Sequence, residues 1–130
     1  MGVKDSSGDF NNLLAYYTQT RNLLGTEFYV LSGNDSLILS TLIAGGAGGV
    51  AGCQMYITEF YFLYKLFKQG KLDESRAAQE SIVSFRECFK YGNPNTIVKI
   101  AVRLLGHDVG ECRKPFVDVS AEGMKKSNRY

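Results

Sequence analysis

From Ser36 to Thr58 the chain runs 23 residues without a charged side chain, and its middle, LIAGGAGGVAG (Leu42–Gly52), holds five glycines. Three arrangements accept such a stretch: a helix through a bilayer, a phosphate-binding loop, or a helix that ends in a glycine turn and re-enters a sheet. The run is long enough to span a membrane, and Gly45/Gly49 and Gly48/Gly52 have GxxxG spacing. Its centre, however, is glycine and alanine, which gain little on transfer to lipid. Asn34, Asp35 and Glu59 flank it where basic anchors belong. The phosphate loop fails on pattern, because no GK[ST] closes the run and the glycines follow a helix instead of opening one. The third arrangement predicts a helix over Asp35–Ala44, a turn at Gly45 and Gly46, and a short strand over Gly48–Gly52.

The same alternation extends toward the N-terminus. Gly2–Lys4 is short and apolar and is broken by DSSGD. Asp9 is a helix cap, and Leu13, Leu14, Tyr17 and Leu24 share a face up to a stop at Gly25. Glu27–Leu31 (EFYVL) is β-branched and aromatic, a buried strand, and SGND follows as a turn. The front of the chain therefore reads strand–helix–strand–helix–strand, which requires parallel strands with helical crossovers.

From Tyr56 onward the period is helical. Tyr56, Phe60, Leu63, Tyr64 and Phe67 form one stripe, read as core packing. Gly70 ends that helix, Leu72–Tyr91 makes a second, and Pro94 opens a third with Ile97, Ile100, Ala101 and Leu104 inward. Ser120 is placed as the cap of a last short helix. Residues 1–53 thus read as a β-α-β-α-β unit and 54–130 as a helical one.

A chain of 130 residues fits one domain and, folding alone, buries about two-thirds of its unfolded surface. A net charge of +2 gives no footprint for nucleic acid. Cys53, Cys88 and Cys112 form no CxxC pair and read as reduced thiols of a cytoplasmic protein. MGVKDSSGDF lacks the apolar core of a secretory signal, and its abrupt strand gives the chain the look of one that starts inside a fold. No His, Cys and carboxylate cluster has metal spacing, and the sequence implies no cofactor.

Two segments, GVKDSSGD (Gly2–Asp9) and VLSGNDSLILSTLIAGGAGGVAG (Val30–Gly52), together resemble the second half of the dihydrodipicolinate synthase/N-acetylneuraminate lyase family. LFKQGKLDESRAAQ and RLLGHDVGECRKPF look like the C-terminal helical extension of that family. The resemblance implies class I aldolase chemistry and an α/β fold: a partial (β/α)8 TIM barrel, strands six to eight with their helices, plus the extension. It implies that Lys4, in the GxK position, is the Schiff-base residue at the end of the sixth strand. Gly33, Asn34 and Asp35 match the turn that receives the distal part of the substrate, and Ser6 is a further substrate contact. Gly45–Ala51 matches the turn into the eighth strand, where Val50 offers its backbone to the substrate. Asn34 has a second reading as a helix cap, and Ser6 a second reading as a turn residue.

Schiff-base chemistry needs a neutral amine, and lysine in water titrates near 10.4. An enclosed, apolar barrel mouth disfavours the ammonium and frees the nucleophile, and such barrels place catalysis at the C-terminal ends of their strands. Asp5 is expected on the opposite face of the strand from Lys4. The iminium formed with a 2-oxo acid then acts as an electron sink for making or breaking the adjacent carbon–carbon bond.

The sequence also departs from the family. It has no counterpart of the G-[ST]-T-G-E carboxylate loop or of the upstream Y-x-x-P relay tyrosine. A complete barrel takes about 250 residues. Met55 stands where many members have asparagine, and Ala51 where many have serine. KDSSGD is nearer to the oxo-acid aldolases of the family than to the KEATGD type. Two functions follow as expectations. One is the C-terminal part of a lyase or aldolase acting on pyruvate or a related 2-oxo acid, incomplete alone. The other is an inactive truncated remnant with a binding or assembly role. The expected partners are a small 2-oxo acid and either further copies of the chain or a complementing N-terminal half, without nucleic acid or membrane.

Overall fold

The computed structural model describes residues 1–23, 28–55, 59–117 and 119. Three strands, β1 (Gly2–Asp5), β2 (Tyr29–Ser32) and β3 (Gly48–Gly49), form one parallel sheet in the order β1-β2-β3. Lys4 pairs with Leu31 and Leu31 with Gly48, so these three positions make one row across the sheet. The crossovers are the helices α1 (Phe10–Thr20) and α2 (Ile38–Ile43). They cover one face, where Val30 and Ser32 are buried, while Lys4 and Tyr29 on the other face are exposed.

α1 starts where expected. The Asp9 carboxylate accepts the Asn11 N–H at 2.9 Å, satisfying a donor that the helix itself cannot. Its inward residue is Leu13, and Leu14 is exposed. The helix stops at Thr20; Leu24, Gly25 and Glu27 lie outside the described residues. The helix expected over Asp35–Ala44 is shorter. Asp35–Leu37 is a single 3-10 turn capped by Asn34, whose Oδ1 accepts the Ser36 N–H at 3.0 Å, and only Ile38–Ile43 is α-helical. Gly45 then turns the chain at φ +95°, where a Cβ would stand 2.5 Å from the Tyr17 ring, so both backbone and space demand glycine. Ala47 N–H bonds to the Val30 carbonyl at 2.8 Å and β3 begins. The strand ends after two residues instead of running to Gly52.

Three further helices, α3 (Glu59–Lys68), α4 (Leu72–Arg86) and α5 (Pro94–Leu104), complete the described chain. The second helix expected to reach Tyr91 changes to a 3-10 turn over Glu87–Tyr91. α5 opens with Pro94 in its first turn and Asn93 as cap, its Oδ1 accepting the Asn95 N–H at 3.0 Å. One apolar cluster joins Ile38, Leu42 and Cys53 to Phe60, Leu63, Ile82, Phe85 and Ile97. The core therefore lies between α2 and the three C-terminal helices, and it unites residues from both expected units. The aromatic stripe of α3 divides: Phe60 and Leu63 enter this core, whereas Tyr64 is 42% exposed. No described helix is long and apolar enough to cross a membrane. Tyr56 and Ser120 lie outside the described residues.

Candidate functional site

The C-terminal ends of the strands carry the candidate site residues Lys4, Ser6, Gly33, Asn34, Asp35 and Val50. Lys4 sits on the uncovered face of β1, beside Leu31. The enclosing apolar mouth expected around it is not built by these strands, since one open sheet supplies a floor without walls. Asp5, the next residue, is buried. Its Oδ1 accepts both the Ser7 N–H at 2.9 Å and the Ser7 hydroxyl at 2.6 Å. The carboxylate is thus committed to the turn after β1, on the side away from Lys4.

That turn touches the one after β2. Gly33 N–H donates to the Asp5 carbonyl at 2.6 Å. A Cβ at Gly33 would fall 3.0 Å from that carbonyl and onto the Ser6 hydroxyl, so a larger residue there would have to push the Ser6 side chain aside and crowd the carbonyl. Ser6 is itself exposed. Asn34 spends its side-chain oxygen as the cap described above, while its N–H donates to Ser32 Oγ at 3.0 Å. Val50 N–H donates to the Ser32 carbonyl at 2.7 Å, and its side chain is 52% exposed above the sheet end.

Asp35, expected at the distal part of a substrate, turns its side chain inward, and the residue is 3% exposed. Oδ1 accepts the Gly52 N–H at 2.9 Å. Oδ2 accepts the Cys53 thiol at 3.1 Å and Arg86 Nη1 at 3.0 Å. Its carboxylate takes three donors from the fold, and the residue also borders the cavity beside Gly33. Burial first, and then the hydrogen bond and charge of Asp35, push the Cys53 thiol far above its ordinary range, with Arg86 opposing. Cys53 therefore stays protonated as a donor. Sequence reasoning missed Arg86, because nothing in a helical period signals a partner 51 residues upstream.

Beside this cluster a cavity of about 360 Å³ lies between Gly33, Asp35 and Gly52 on one side and Arg86, Phe89 and Lys99 on the other. Lys99 Nζ is held at its rim by the carbonyls of Val109 and Glu111, at 3.0 and 2.9 Å.

The model of the dihydrodipicolinate synthetase family matches residues 1–130. The 4-hydroxy-tetrahydrodipicolinate synthase of Cyanothece is 31% identical over 123 residues, 93% of this chain and 40% of its own length. The Bacillus subtilis enzyme of the same name is 30% identical, with 94% of this chain and 41% of the relative covered. Among solved structures, YagE of Escherichia coli K12 in complex with pyruvate superposes with a TM-score of 0.88 at 18% identity, over 99% of this chain and 44% of that one. Dihydrodipicolinate synthase of Cyanidioschyzon merolae with lysine bound gives 0.84 at 26% identity, over 98% and 42%. The chain spans about 40% of the length of the curated relatives it matches. Its three-stranded parallel sheet and helices are a portion of the barrel those structures contain. By sequence and by fold, the chain belongs to the dihydrodipicolinate synthetase family.

Proposed function

We propose that the chain is the C-terminal part of a Schiff-base lyase or aldolase acting on pyruvate or a related 2-oxo acid, complete only with the segments that supply the remaining barrel. In this reading β1, β2 and β3 are barrel strands six to eight. Lys4 Nζ attacks the ketone carbon, water leaves, and the resulting iminium accepts the electron pair of the adjacent carbon–carbon bond. Ser6, the backbone of Gly33 and Asn34, and the backbone of Val50 border the substrate. Asp35 holds that border through its carboxylate and lines the cavity beside it. The observation that carries the reading is the position of Lys4. It stands near the carboxyl end of a parallel strand, on the face away from the helices, next to two turns that close on each other through Gly33. The distal part of a substrate fits the cavity between Gly33 and Arg86.

The test is reductive trapping. The chain is incubated with pyruvate and borohydride, alone and with the N-terminal half of the Bacillus subtilis relative, and then weighed. The expected result is a single adduct on Lys4 that is absent from Lys4→Ala and strongest in the mixture. No adduct under either condition refutes the reading.

A second reading is a catalytically inactive chain with a binding or assembly role. Turnover that depends on Lys4 would exclude it.

A further inference from the structure

The three strand ends are joined by one continuous set of bonds. The turn after β1 meets the turn after β2 through the Gly33 N–H on the Asp5 carbonyl. Two residues on, Asp35 Oδ1 holds the Gly52 N–H beyond β3. The last link comes from the helical extension: Arg86, near the end of α4, pairs with Asp35 Oδ2 at 3.0 Å. A second side chain of α4 holds the same segment. Gln79 donates from Nε2 to the Asp35 carbonyl at 2.9 Å and accepts the Leu39 N–H on Oε1 at 2.9 Å. Asp35 is thus gripped at its carboxylate and at its carbonyl by one helix, on either side of the peptide that leads into α2.

We infer that Arg86 is a positioning residue that acts through Asp35 to set where Gly33, Asn34 and Gly52 stand against the end of β1. This assigns control of the site's geometry to the helical extension. Its catalytic consequence rests on the Schiff-base reading, whereas its geometric content does not. The physical case is the lever. A carboxylate buried with three donors has one low-energy position. Gly33, two residues away, has no side-chain anchor of its own, so its bond to the Asp5 carbonyl follows the carboxylate. Both Asp35 and Arg86 also line the cavity beside Gly33, so moving the pair alters the wall facing a ligand.

The test compares the full chain with Arg86→Met, Arg86→Lys and, as a control, Arg76→Met, whose Asp73 partner lies on the exposed side of α4. Amide NMR is expected to show the Gly33, Asn34 and Gly52 resonances moving in Arg86→Met, returning toward wild type in Arg86→Lys, and staying in place in Arg76→Met. Adduct formation at saturating pyruvate is expected to slow by about tenfold or more in Arg86→Met, the scale of a small misplacement of reacting groups. A folded Arg86→Met with unmoved Gly33 and Asn34 amides overturns the inference, as does a control that moves them equally. Should Arg86→Met not fold, amide exchange of the wild-type chain decides. Gly33, Leu39 and Gly52 are expected to open together, and independent opening overturns the inference. Absence of any adduct in the wild type refutes the Schiff-base reading alone and leaves the NMR outcome to judge the positioning role.

Discussion

Cys53 donates to a carboxylate that Arg86 also holds, and this buried trio makes its own prediction. The folded protein retains a thiol proton that the unfolded chain gives up near pH 9.0. Because the folded-state value is the raised one, the contribution is fully present below that pH and is lost as pH rises above it. Denaturant unfolding should show stability falling by about 1.4 kcal/mol per pH unit above the thiol's unfolded value. Cys53→Ala should flatten that limb relative to wild type. Arg86→Met, which leaves the Asp35 carboxylate buried without its cation, should cost about 3 kcal/mol in the same assay. Gly33→Ala should cost about 1–3 kcal/mol, since a methyl group there displaces the Ser6 hydroxyl or the Asp5 carbonyl. The glycine at this turn was legible in SGND, and so was the cap by Asn34. The inward turn of Asp35 was not, because an aspartate after Gly-Asn reads equally as an exposed turn residue until its partners arrive.

At the scale of elements, the helices were legible wherever a cap and an apolar period agreed. α1 begins at its Asp9 cap and α5 at Asn93 and Pro94. Asn93→Ala should lower stability by about 1 kcal/mol, read as a lower melting temperature, because the Asn95 N–H loses its acceptor. Length was less legible. α2 is cut to six residues because Asp35 is drawn toward Arg86 and the first turn tightens. β3 is cut to two because Asp35 takes the Gly52 N–H, bending the chain off the sheet. In both cases a contact from α4 or its partner overrides a local preference. The stripe on α3 divides for a related reason. Phe60 and Leu63 meet the other helices, while Tyr64 faces the region of β3.

At the scale of the molecule, one face of the sheet carries Lys4, Tyr29 and Leu31 without a covering layer among the described residues, and Tyr29, Tyr61 and Tyr64 are each more than 40% exposed. Among the described residues β1 and β3 each pair on one side only. Sheet edges and apolar faces of this kind associate. Sedimentation should therefore find species larger than the 14.4 kDa chain, or a complex once the N-terminal half of a relative is supplied. Tyr61→Ser with Tyr64→Ser should weaken that association while changing unfolding midpoints little, because neither ring enters the core. A compact monomer with a single cooperative transition would contradict this expectation.

The order of elements, the glycine turn at Gly45, the caps at Asp9, Asn34 and Asn93, and the likeness that places Lys4 in a Schiff-base position came from the sequence by itself. Each depends on near neighbours: on which backbone angles a residue tolerates, which N–H lacks a partner, and which side chains share a face. Tertiary structure alone decided that Asp35 is buried within the fold and that Arg86 reaches it across 51 residues. Ion pairs between distant elements and the removal of water from a face exist only once the chain has closed, and enclosure of Lys4 needs walls that these three strands do not make.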